Sequence, residues 1–279
     1  MEATVHDPRS VIADPSAGRR SLLGRALDRL RESVAEPVLT VLFPPRCVMC
    51  GEFETHLCDR CRDGLVAVAS GSCPRCGEPG VEALVQGRCA ACMGRELEHD
   101  GARSAYLHQG AAKRLVSELK FGGQPVLGRL MAGLAQPMFN EYARSLALET
   151  RLYVSWVPAH RRAQRERGYN QAELLARHLA AGYGLPAGPL VRKGVPTKHQ
   201  KGLGRAGRQS NLRGAFSLHP AAAESLKSHG CGAVIMVDDV YTTGATAGEV
   251  SRVVKAGLGL PTFVFTFSRA TSGKAVGHD

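Results

Sequence analysis

The chain has 279 residues, a net charge of +11 at pH 7 and a hydrophobic content of 44%. This length accommodates one domain of ordinary size and a smaller one, and the apolar content suffices for a packed core. The sequence has no apolar run of membrane-spanning length and no apolar stretch like a secretory signal before Leu30, so it argues against a membrane span and predicts a cytoplasmic protein.

The N-terminal 43 residues are predicted to precede the folded domains. Residues 1 to about 20 are rich in Asp, Pro, Ser, Gly and Arg, which is typical of a disordered tail. Residues 21–43 have apolar residues at spacings near 3.6, which predict a short amphipathic helix. These residues are Leu22, Leu23, Ala26, Leu30 and Val34. A second disordered tail is predicted for residues 273–279.

Residues 44–98 are predicted to form a small zinc-ribbon-like module. Eight of the nine cysteines form four C-x-x-C pairs. Two such pairs supply the four soft ligands of a tetrahedral Zn²⁺, so the module predicts two structural zinc ions. We favour sequential pairing, although the spacing leaves a crossed arrangement open. The first set is then Cys47, Cys50, Cys58 and Cys61, and the second is Cys73, Cys76, Cys89 and Cys92.

Other uses of these cysteines fit less well. Disulfides are disfavoured in a reducing compartment, and redox C-x-x-C sites normally occur singly. An iron–sulfur cluster also takes four cysteines, but knuckles flanked by Gly and Pro suit zinc better. The ninth cysteine, Cys231, stands alone and is interpreted as a small buried hydrophobe.

Residues 99–272 predict the larger, α/β domain. Helical patterns run at 111–119, 127–147, 170–181 and 247–256, and apolar runs at 152–157, 233–237 and 262–267 predict buried strands. Strands that alternate with helices predict a mostly parallel central sheet with crossover connections. Residues 182–214 are rich in Gly, Pro and basic residues and predict a long mobile loop.

Positive charge is concentrated in one window. Residues 160–213 carry twelve Lys and Arg residues but only two Glu residues. The net charge of this window is therefore +10, which is nearly the whole net charge of the chain, +11. Such a field attracts phosphates, whether of a nucleotide, a sugar phosphate or a nucleic acid.

The segment from Val234 to Val250 predicts a sugar-phosphate site. An apolar run ends in Asp238 and Asp239, and a turn rich in hydroxyls and glycine leads into a helix. Carboxylates accept hydrogen bonds from vicinal hydroxyls or hold hydrated Mg²⁺, whereas loop N–H groups and a helix N-terminus favour phosphate. In open α/β sheets, ligands bind beyond the carboxyl ends of the strands, where this loop falls. The alternative is a buried strand that ends in a solvated turn.

This segment resembles the loop that binds 5-phosphoribosyl-1-pyrophosphate (PRPP) in type I phosphoribosyltransferases. That loop has four apolar residues, two acidic residues and an apolar/Thr-Thr-Gly-x-Thr stretch. The resemblance implies a PRPP site with Mg²⁺, in which Asp238 and Asp239 are the catalytic candidates. The implied PRPP-binding residues are Asp238, Asp239, Val240, Tyr241, Thr242, Thr243, Gly244, Ala245 and Thr246.

Two further segments acquire a candidate role from the same resemblance. In type I phosphoribosyltransferases, a loop after the first core strand contacts pyrophosphate, and Pro158, Ala159, His160 and Arg161 occupy the comparable place. The alternative for this segment is a solvated basic helix end, with His160 as a surface or capping residue. A flexible lid is implied for residues 197–213. Its candidate diphosphate contacts are Lys198, Lys201, Arg205 and Arg208.

Over residues 38–270 the chain resembles the ComF-type proteins, which are linked to DNA uptake in natural competence. The resemblance rests on five motifs in chain order: Pro44-Pro45-Arg46 before the first knuckle, Leu119-Lys120-Phe121-x-Gly123, Arg167 to Gln171, Arg208 to Phe216, and the PRPP-loop segment. Residues Thr242 to Thr246 of that segment are called the phosphate loop below. It implies a type I phosphoribosyltransferase-like domain behind a zinc module. Many ComF-type proteins have only one four-cysteine site, which puts in doubt whether the second site is needed for the shared activity.

Three functional hypotheses follow. The first is an enzyme that transfers phosphoribosyl from PRPP to an unidentified acceptor. The second is a non-catalytic protein of DNA transport that binds single-stranded DNA through the basic window, with a vestigial or regulatory PRPP site. The few aromatic residues in that window favour contact with the DNA backbone over base stacking. The third, suggested by the family alone, makes the zinc module a docking surface for a protein of the uptake machinery, such as a helicase.

Overall fold

A computed structural model describes residues 44–68, 71–81, 83–148, 150–194 and 214–271. The described residues belong to two compact units, a small one with residues 44–47 and 51–56 and a large one with residues 48–50 and 57–271. The predicted tails, the predicted helix at 21–43 and the lid candidates Lys198, Lys201, Arg205 and Arg208 lie outside the described residues.

The small unit is a tight turn. A β-bridge joins Arg46 to Phe53, and the Arg46 guanidinium lies 4.0 Å from the centroid of the Phe53 ring. The Gly51 N–H donates to the Cys47 carbonyl over 2.8 Å, and Gly51 has a φ of 80°, which an L side chain rarely adopts. This is the local geometry of a cysteine knuckle.

The large unit alternates helices and strands. Its described helices are α1 (Asp59–Asp63), α2 (Gly110–Phe121), α3 (Val126–Ala147), α4 (Arg161–Arg167), α5 (Gln171–Tyr183), α6 (Ala222–His229) and α7 (Ala245–Leu258). Its described strands are β1 (Gly101–Leu107), β2 (Leu152–Trp156), β3 (Val191–Lys193), β4 (Phe216–Leu218), β5 (Ala233–Tyr241) and β6 (Thr262–Arg269). None of the described helices combines the length and the apolarity that a membrane crossing requires.

Four of these strands form one parallel sheet in the order β1-β6-β5-β2. Because all four strands are parallel, their carboxyl ends meet at one edge. The short strands β3 and β4 form a separate antiparallel pair. The sheet and the cysteine clusters confirm the predicted mixed α/β class with a preceding cysteine module, an architecture consistent with a phosphoribosyltransferase-like fold.

Both faces of the sheet are buried. On one face, Phe139 of α3 meets Phe265 of β6 edge-to-face at 5.1 Å, and both side chains are fully buried. On the other face, Val234 and Met236 of β5 pack in one cluster with Val250 of α7. Burial on both faces explains why the strands read as continuous apolar runs rather than as an alternating pattern.

Several elements differ from the sequence-based prediction. The sequence pattern did not predict β1, whose residues include Arg103 and Ser104, and it read β3 as part of a long loop. The fifth strand does not end at residue 237 but continues through the acidic pair to Tyr241, because β6 pairs with it as far as Arg269. The helix that follows starts at Ala245 rather than at Ala247.

Candidate functional site

The carboxyl end of β5 projects beyond its neighbour β2. Trp156, the last residue of β2, pairs with Val237, whereas β5 continues for four more residues beside β6. This unequal length leaves a step at the carboxyl edge of the sheet, and Asp238 and Asp239 lie on it. The predicted acidic pair is therefore in the strand itself, at the edge where open parallel sheets bind ligands.

The two carboxylates extend from opposite faces of β5, since successive side chains of a strand alternate. Asp239 forms an ion pair with Lys120, which lies near the end of α2. Asp238 accepts a hydrogen bond from the Asp239 N–H over 2.9 Å and interacts with the charge of Lys193, on β3. The pair is thus flanked by two cations that arrive from two different elements.

Burial raises the pKa of Asp238 well above its usual range, and the neighbouring negative charge of Asp239 raises it further, whereas Lys120 opposes the rise. Burial and the proximity of the two carboxylates thus both disfavour the ionised form of Asp238. A divalent cation would relieve this repulsion, so the donor set fits Mg²⁺.

The phosphate loop connects this acidic step to α7. Thr242 and Thr243 are exposed, and Gly244 adopts a φ of 77° as the residue before the helix. A small concavity opens at this loop and is lined by residues of β5, β6 and the first turn of α7. Its lining residues are Asp238, Val240, Tyr241, Thr242, Gly244, Ala245, Thr246, Ala247 and Thr266. All but Ala247 and Thr266 were predicted as PRPP contacts.

A wider depression lies on α3, but its chemistry is wrong for a phosphate. It is open to solvent and almost entirely apolar, with Arg129 as its one charged side chain. Its lining residues are Val126, Arg129, Leu130, Gly133 and Leu134. The phosphate loop is smaller but combines hydroxyls, a helix N-terminus and carboxylates.

The Tyr241 side chain lies against the phosphate loop at Gly244. Its hydroxyl shares a hydrogen bond of 3.0 Å with Nε2 of the buried His99, and a β-carbon at Gly244 would collide with the same hydroxyl. Burial raises the pKa of Tyr241 to about 12 and lowers the pKa of His99 to about 4. Both groups are consequently neutral at pH 7, and glycine is required where the loop turns.

The motif at residues 167–171 contacts the end of α2 next to Lys120. The Tyr169 hydroxyl donates to the Leu119 carbonyl over 2.7 Å, and the Gln171 amide reaches the same oxygen at 3.5 Å. The Arg167 guanidinium lies 5.2 Å from the centroid of the Phe121 ring. The motif therefore fixes the end of α2, from which Lys120 reaches Asp239.

Lys120 lies in a motif of the family resemblance, but the sequence did not assign it to the site, because its contact with the acidic pair is visible only in three dimensions. In the sequence it is an ordinary basic residue in the last turn of a helix, a common position for lysine. Only the fold brings it to the acidic pair, 119 positions further along the chain. His108 joins the same region: its Nδ1 shares a hydrogen bond of 2.9 Å with the Ser268 hydroxyl, and burial and Lys120 lower its pKa.

The predicted pyrophosphate loop directly follows β2. Pro158, Ala159 and His160 lead into α4, whose first residue is the exposed Arg161. Nδ1 of His160 accepts a hydrogen bond from the Arg162 N–H over 3.2 Å, which makes His160 the N-cap of α4. The Asn170 amide donates to the Val157 carbonyl over 3.1 Å and so holds the start of this loop.

The second group of cysteines forms a compact cluster. Cys73, Cys76, Cys89 and Cys92 are at most 3% exposed, and their sulfur atoms all lie within 4.8 Å of one another. Three of the sulfur–sulfur separations are 3.6–3.8 Å. Tetrahedral zinc with Zn–S bonds of about 2.3 Å places its sulfurs about 3.8 Å apart, so the cluster fits Zn²⁺.

The first group is Cys47, Cys50, Cys58 and Cys61, so the cysteines form two groups of four with the predicted sequential composition. Within the large unit, the sulfurs of Cys50 and Cys58 lie 3.6 Å apart. Cys231 belongs to neither group, and its thiol points to the Leu152 carbonyl over 3.4 Å. Two groups of four thiols fit two zinc sites, and zinc bound to such groups stabilises the surrounding chain.

Comparison with known proteins gives the cysteine module a family. Residues 38–93 match the family described as "Double zinc ribbon domain". The match spans all eight cysteines and agrees with the two groups found in the structure.

Comparison with curated proteins covers most of the chain. Competence protein F of Haemophilus influenzae is 30% identical over 215 residues, which are 73% of this chain and 92% of that protein. The "DNA utilization protein YhgH" of Salmonella typhimurium is 28% identical over 65% of this chain and 77% of its own length. Competence protein ComFC of Bacillus subtilis is 25% identical over 71% of this chain and 78% of its own length.

Metal content tests the two cysteine clusters. We expect the purified chain to carry about two zinc ions, and Cys76→Ala to carry about one, because a structural site needs all four ligands. Inductively coupled plasma mass spectrometry measures both values. Cys231→Ala is the matched control and should retain both ions. Wild-type protein that holds one zinc ion or none when purified without chelator would contradict the assignment.

The stability of Asp238→Asn tests whether folding raises the pKa of Asp238. The pKa of Asp238 is higher in the folded chain than the value of about 3.9 expected when unfolded, so this carboxyl favours folding at low pH and loses that contribution as pH rises. We therefore expect Asp238→Asn to be more stable than the wild type at pH 7. The difference should vanish near pH 4.

Urea unfolding between pH 4 and pH 8 measures this difference, with Glu141→Gln on the exposed side of α3 as the control. A difference that stays constant with pH, or a less stable Asp238→Asn at pH 7, would refute the raised pKa of Asp238.

Proposed function

Because this chain belongs to the competence protein F family, we propose that it binds PRPP with Mg²⁺ at the carboxyl edge of β5. The observation that carries the proposal is the step on β5, where Asp238 and Asp239 lie directly before a loop that opens at the N-terminus of α7. Carboxylates and a phosphate-binding turn are thereby adjacent, as a ribose 5-phosphate requires.

Each part of the site has a separate task in this proposal. The loop from Thr242 to Thr246 receives the 5-phosphate, since its hydroxyls and N–H groups can donate and the dipole of α7 favours an anion. Asp238 and Asp239 accept hydrogen bonds from the ribose hydroxyls or hold Mg²⁺. When bound, Mg²⁺ neutralises diphosphate charge.

The cations near the acidic pair would bind the diphosphate of PRPP. Lys120 is already paired with Asp239 and stands at the step, whereas Arg161 is exposed at the start of α4, after β2. Lys193 reaches the Asp238 side from β3, directly before the segment that holds the lid candidates. Three elements therefore each supply a cation that could interact with the diphosphate, the most negative part of PRPP.

The proposal includes phosphoribosyl transfer. In that reaction, the bond between the anomeric carbon of ribose and pyrophosphate breaks, and an acceptor forms the new bond to the carbon. The fold agrees with this chemistry, because Lys120 and Arg161 would stabilise the negative charge that develops on the leaving pyrophosphate. Release of pyrophosphate in the presence of candidate acceptors measures it.

The relatives support a role for this chain in DNA uptake and handling. The names of the relatives refer to competence and to DNA utilization. We accordingly propose a cytoplasmic role in the uptake and handling of DNA, in which the zinc module offers a surface to a protein of the uptake machinery.

A second candidate function is binding of single-stranded DNA. The observation that favours it is α4, which exposes Arg161, Arg162 and Arg165 within seven residues. Arg162 is partly compensated by Glu166 at 2.8 Å, but the other two are available for phosphates. This face suits contact with a DNA backbone and offers no aromatic side chain for base stacking among the residues of α4.

Calorimetric titration of PRPP tests the main proposal. We expect the zinc-loaded wild type to bind PRPP in the presence of Mg²⁺, and Asp239→Asn to weaken binding by at least about tenfold, because a charged hydrogen-bond acceptor is lost. The control Glu224→Gln removes one exposed carboxylate from α6 and should bind as the wild type does. Unchanged affinity in Asp239→Asn, or no binding by the zinc-loaded wild type, would refute the assignment.

The salt dependence of oligonucleotide binding tests the second candidate. If α4 holds the DNA backbone, the logarithm of affinity should fall linearly with the logarithm of salt concentration. The double variant Arg161→Ala/Arg165→Ala should reduce that slope by about 1.4, the value for two lost phosphate contacts. Fluorescence anisotropy measures the slope, and Arg129→Ala/Arg144→Ala, with two exposed arginines removed from α3, is the charge-matched control. Equal slopes in both double variants would exclude α4.

A further inference from the structure

Arg95 connects the second zinc ribbon to the phosphate loop. The second zinc ribbon is the part of the cysteine module that holds Cys73, Cys76, Cys89 and Cys92. Arg95 follows the last ligand, Cys92, by three positions, and its guanidinium donates to the Thr243 carbonyl over 2.5 Å. The contact joins residues 148 positions apart in the sequence. It brings a side chain of the cysteine module to the loop that would hold the 5-phosphate.

Arg95 is anchored on the ribbon side by several hydrogen bonds. Its N–H donates to the Cys92 carbonyl over 3.2 Å, and its own carbonyl accepts a hydrogen bond of 2.7 Å from the Arg88 guanidinium. Its guanidinium also reaches the Ala91 carbonyl at 3.4 Å. The position of Arg95 therefore depends on the folded knuckle around Cys89 and Cys92.

The contact with Thr243 has a geometric consequence for Gly244. The Thr243 carbonyl and the Gly244 N–H belong to one peptide unit, and the described chain has no cis peptide bond. In a planar trans peptide, the C=O and the N–H point in opposite directions. Arg95 holds the carbonyl oxygen on its own side, so the Gly244 N–H points to the other side of the loop.

Within the described chain, the Arg95 guanidinium is the hydrogen-bond donor to the Thr243 carbonyl, so its loss would remove that restraint on the peptide unit. Gly244 lies in the left-handed region of backbone conformation, where glycine tolerates many orientations of its neighbouring peptides. Within the part of the chain that the structure describes, no hydrogen bond uses the Gly244 N–H. That N–H is therefore available as a phosphate donor, and its direction is set by the Thr243 carbonyl.

We propose that Arg95 is a positioning residue: it orients the Thr243–Gly244 peptide so that the Gly244 N–H is presented to a phosphate, and it thereby couples the second zinc ribbon to the phosphate loop. The identity of the phosphate as that of PRPP rests on the proposed function. The second cysteine cluster is then required for the site. This differs from the expectation that it is dispensable for the shared activity.

The coupling has a physical basis in how zinc ribbons fold. A ribbon of this size is held together by its metal, since it buries little apolar surface of its own. Loss of zinc from the second ribbon would release the knuckle around Cys89 and Cys92 and, with it, the anchors of Arg95. The effect of Arg95 on a bound phosphate would be indirect, because Arg95 contacts the backbone of the loop.

Nuclear magnetic resonance relaxation of the zinc-loaded, full chain without ligand tests the proposal. We expect the order parameter of the Gly244 amide to be near 0.85 in the wild type, the value for rigid backbone, and to fall below about 0.6 in Arg95→Ala. Arg95→Lys keeps one donor and should give an intermediate value. The control Arg129→Ala removes an exposed arginine from α3 and should match the wild type.

The zinc content of each variant shows whether its second zinc ribbon is folded. If Arg95→Ala loses its metal, Arg95→Gln is measured in its place. The proposal is overturned if the Gly244 amide is as ordered in the zinc-loaded Arg95 variants as in the wild type. It is also overturned if Arg129→Ala loosens the amide equally.

A PRPP titration of the same variants separates this inference from the proposed function. If the wild type binds PRPP, Arg95→Ala should bind it roughly tenfold more weakly, the loss expected for one charge-assisted hydrogen bond. Equal affinity would overturn the positioning role and leave PRPP binding intact. If the wild type does not bind PRPP, the proposed function fails, and the order of the Gly244 amide still decides the role of Arg95.

Discussion

The buried guanidinium of Arg269 connects the second zinc ribbon to the sheet, because the ribbon supplies the groups that compensate its charge. The Arg269 side chain is almost fully buried at the carboxyl end of β6, and a buried cation is destabilising unless it is paired and hydrogen-bonded. Its partners are the Glu78 carboxylate at 2.5 Å and the Cys76 carbonyl at 2.6 Å, both in the second ribbon, and the ring of Tyr241, 4.9 Å from the guanidinium. The guanidinium therefore holds a metal-ligand segment and the base of the phosphate loop at once.

Close packing at Gly77 follows from the same junction. A β-carbon there would lie 2.8 Å from the Ala102 carbonyl and 3.0 Å from the Arg269 guanidinium, so only glycine fits between the knuckle and β1. Asp100 adds a second connection, since its carboxylate binds Lys255 of α7 and the Thr262 N–H of β6. The helix after the phosphate loop and the strand beside it are thereby fixed to the segment that leaves the ribbon.

The sequence predicted what depends on local patterns and missed what depends on long-range pairing. The four C-x-x-C pairs and the run from Val234 to Thr246 carry their chemistry in consecutive residues, so the cysteine groups and the candidate loop were accessible from the sequence. The pattern could not show that β6 pairs with β5 as far as Arg269, which extends the strand through the acidic pair. The contacts of Lys120 and Arg95 with the site were hidden for the same reason, because their partners lie more than 100 positions away.

A crystal structure of the zinc-loaded chain with PRPP and Mg²⁺ would show whether PRPP binds at the carboxyl end of β5. We expect the 5-phosphate within hydrogen-bond distance of the Gly244 N–H and the hydroxyls of the phosphate loop. We also expect the ribose or Mg²⁺ on the Asp238–Asp239 step, with the Arg95 contact to Thr243 preserved. PRPP bound elsewhere, or a phosphate on α4 with the loop at β5 empty, would refute the proposed site.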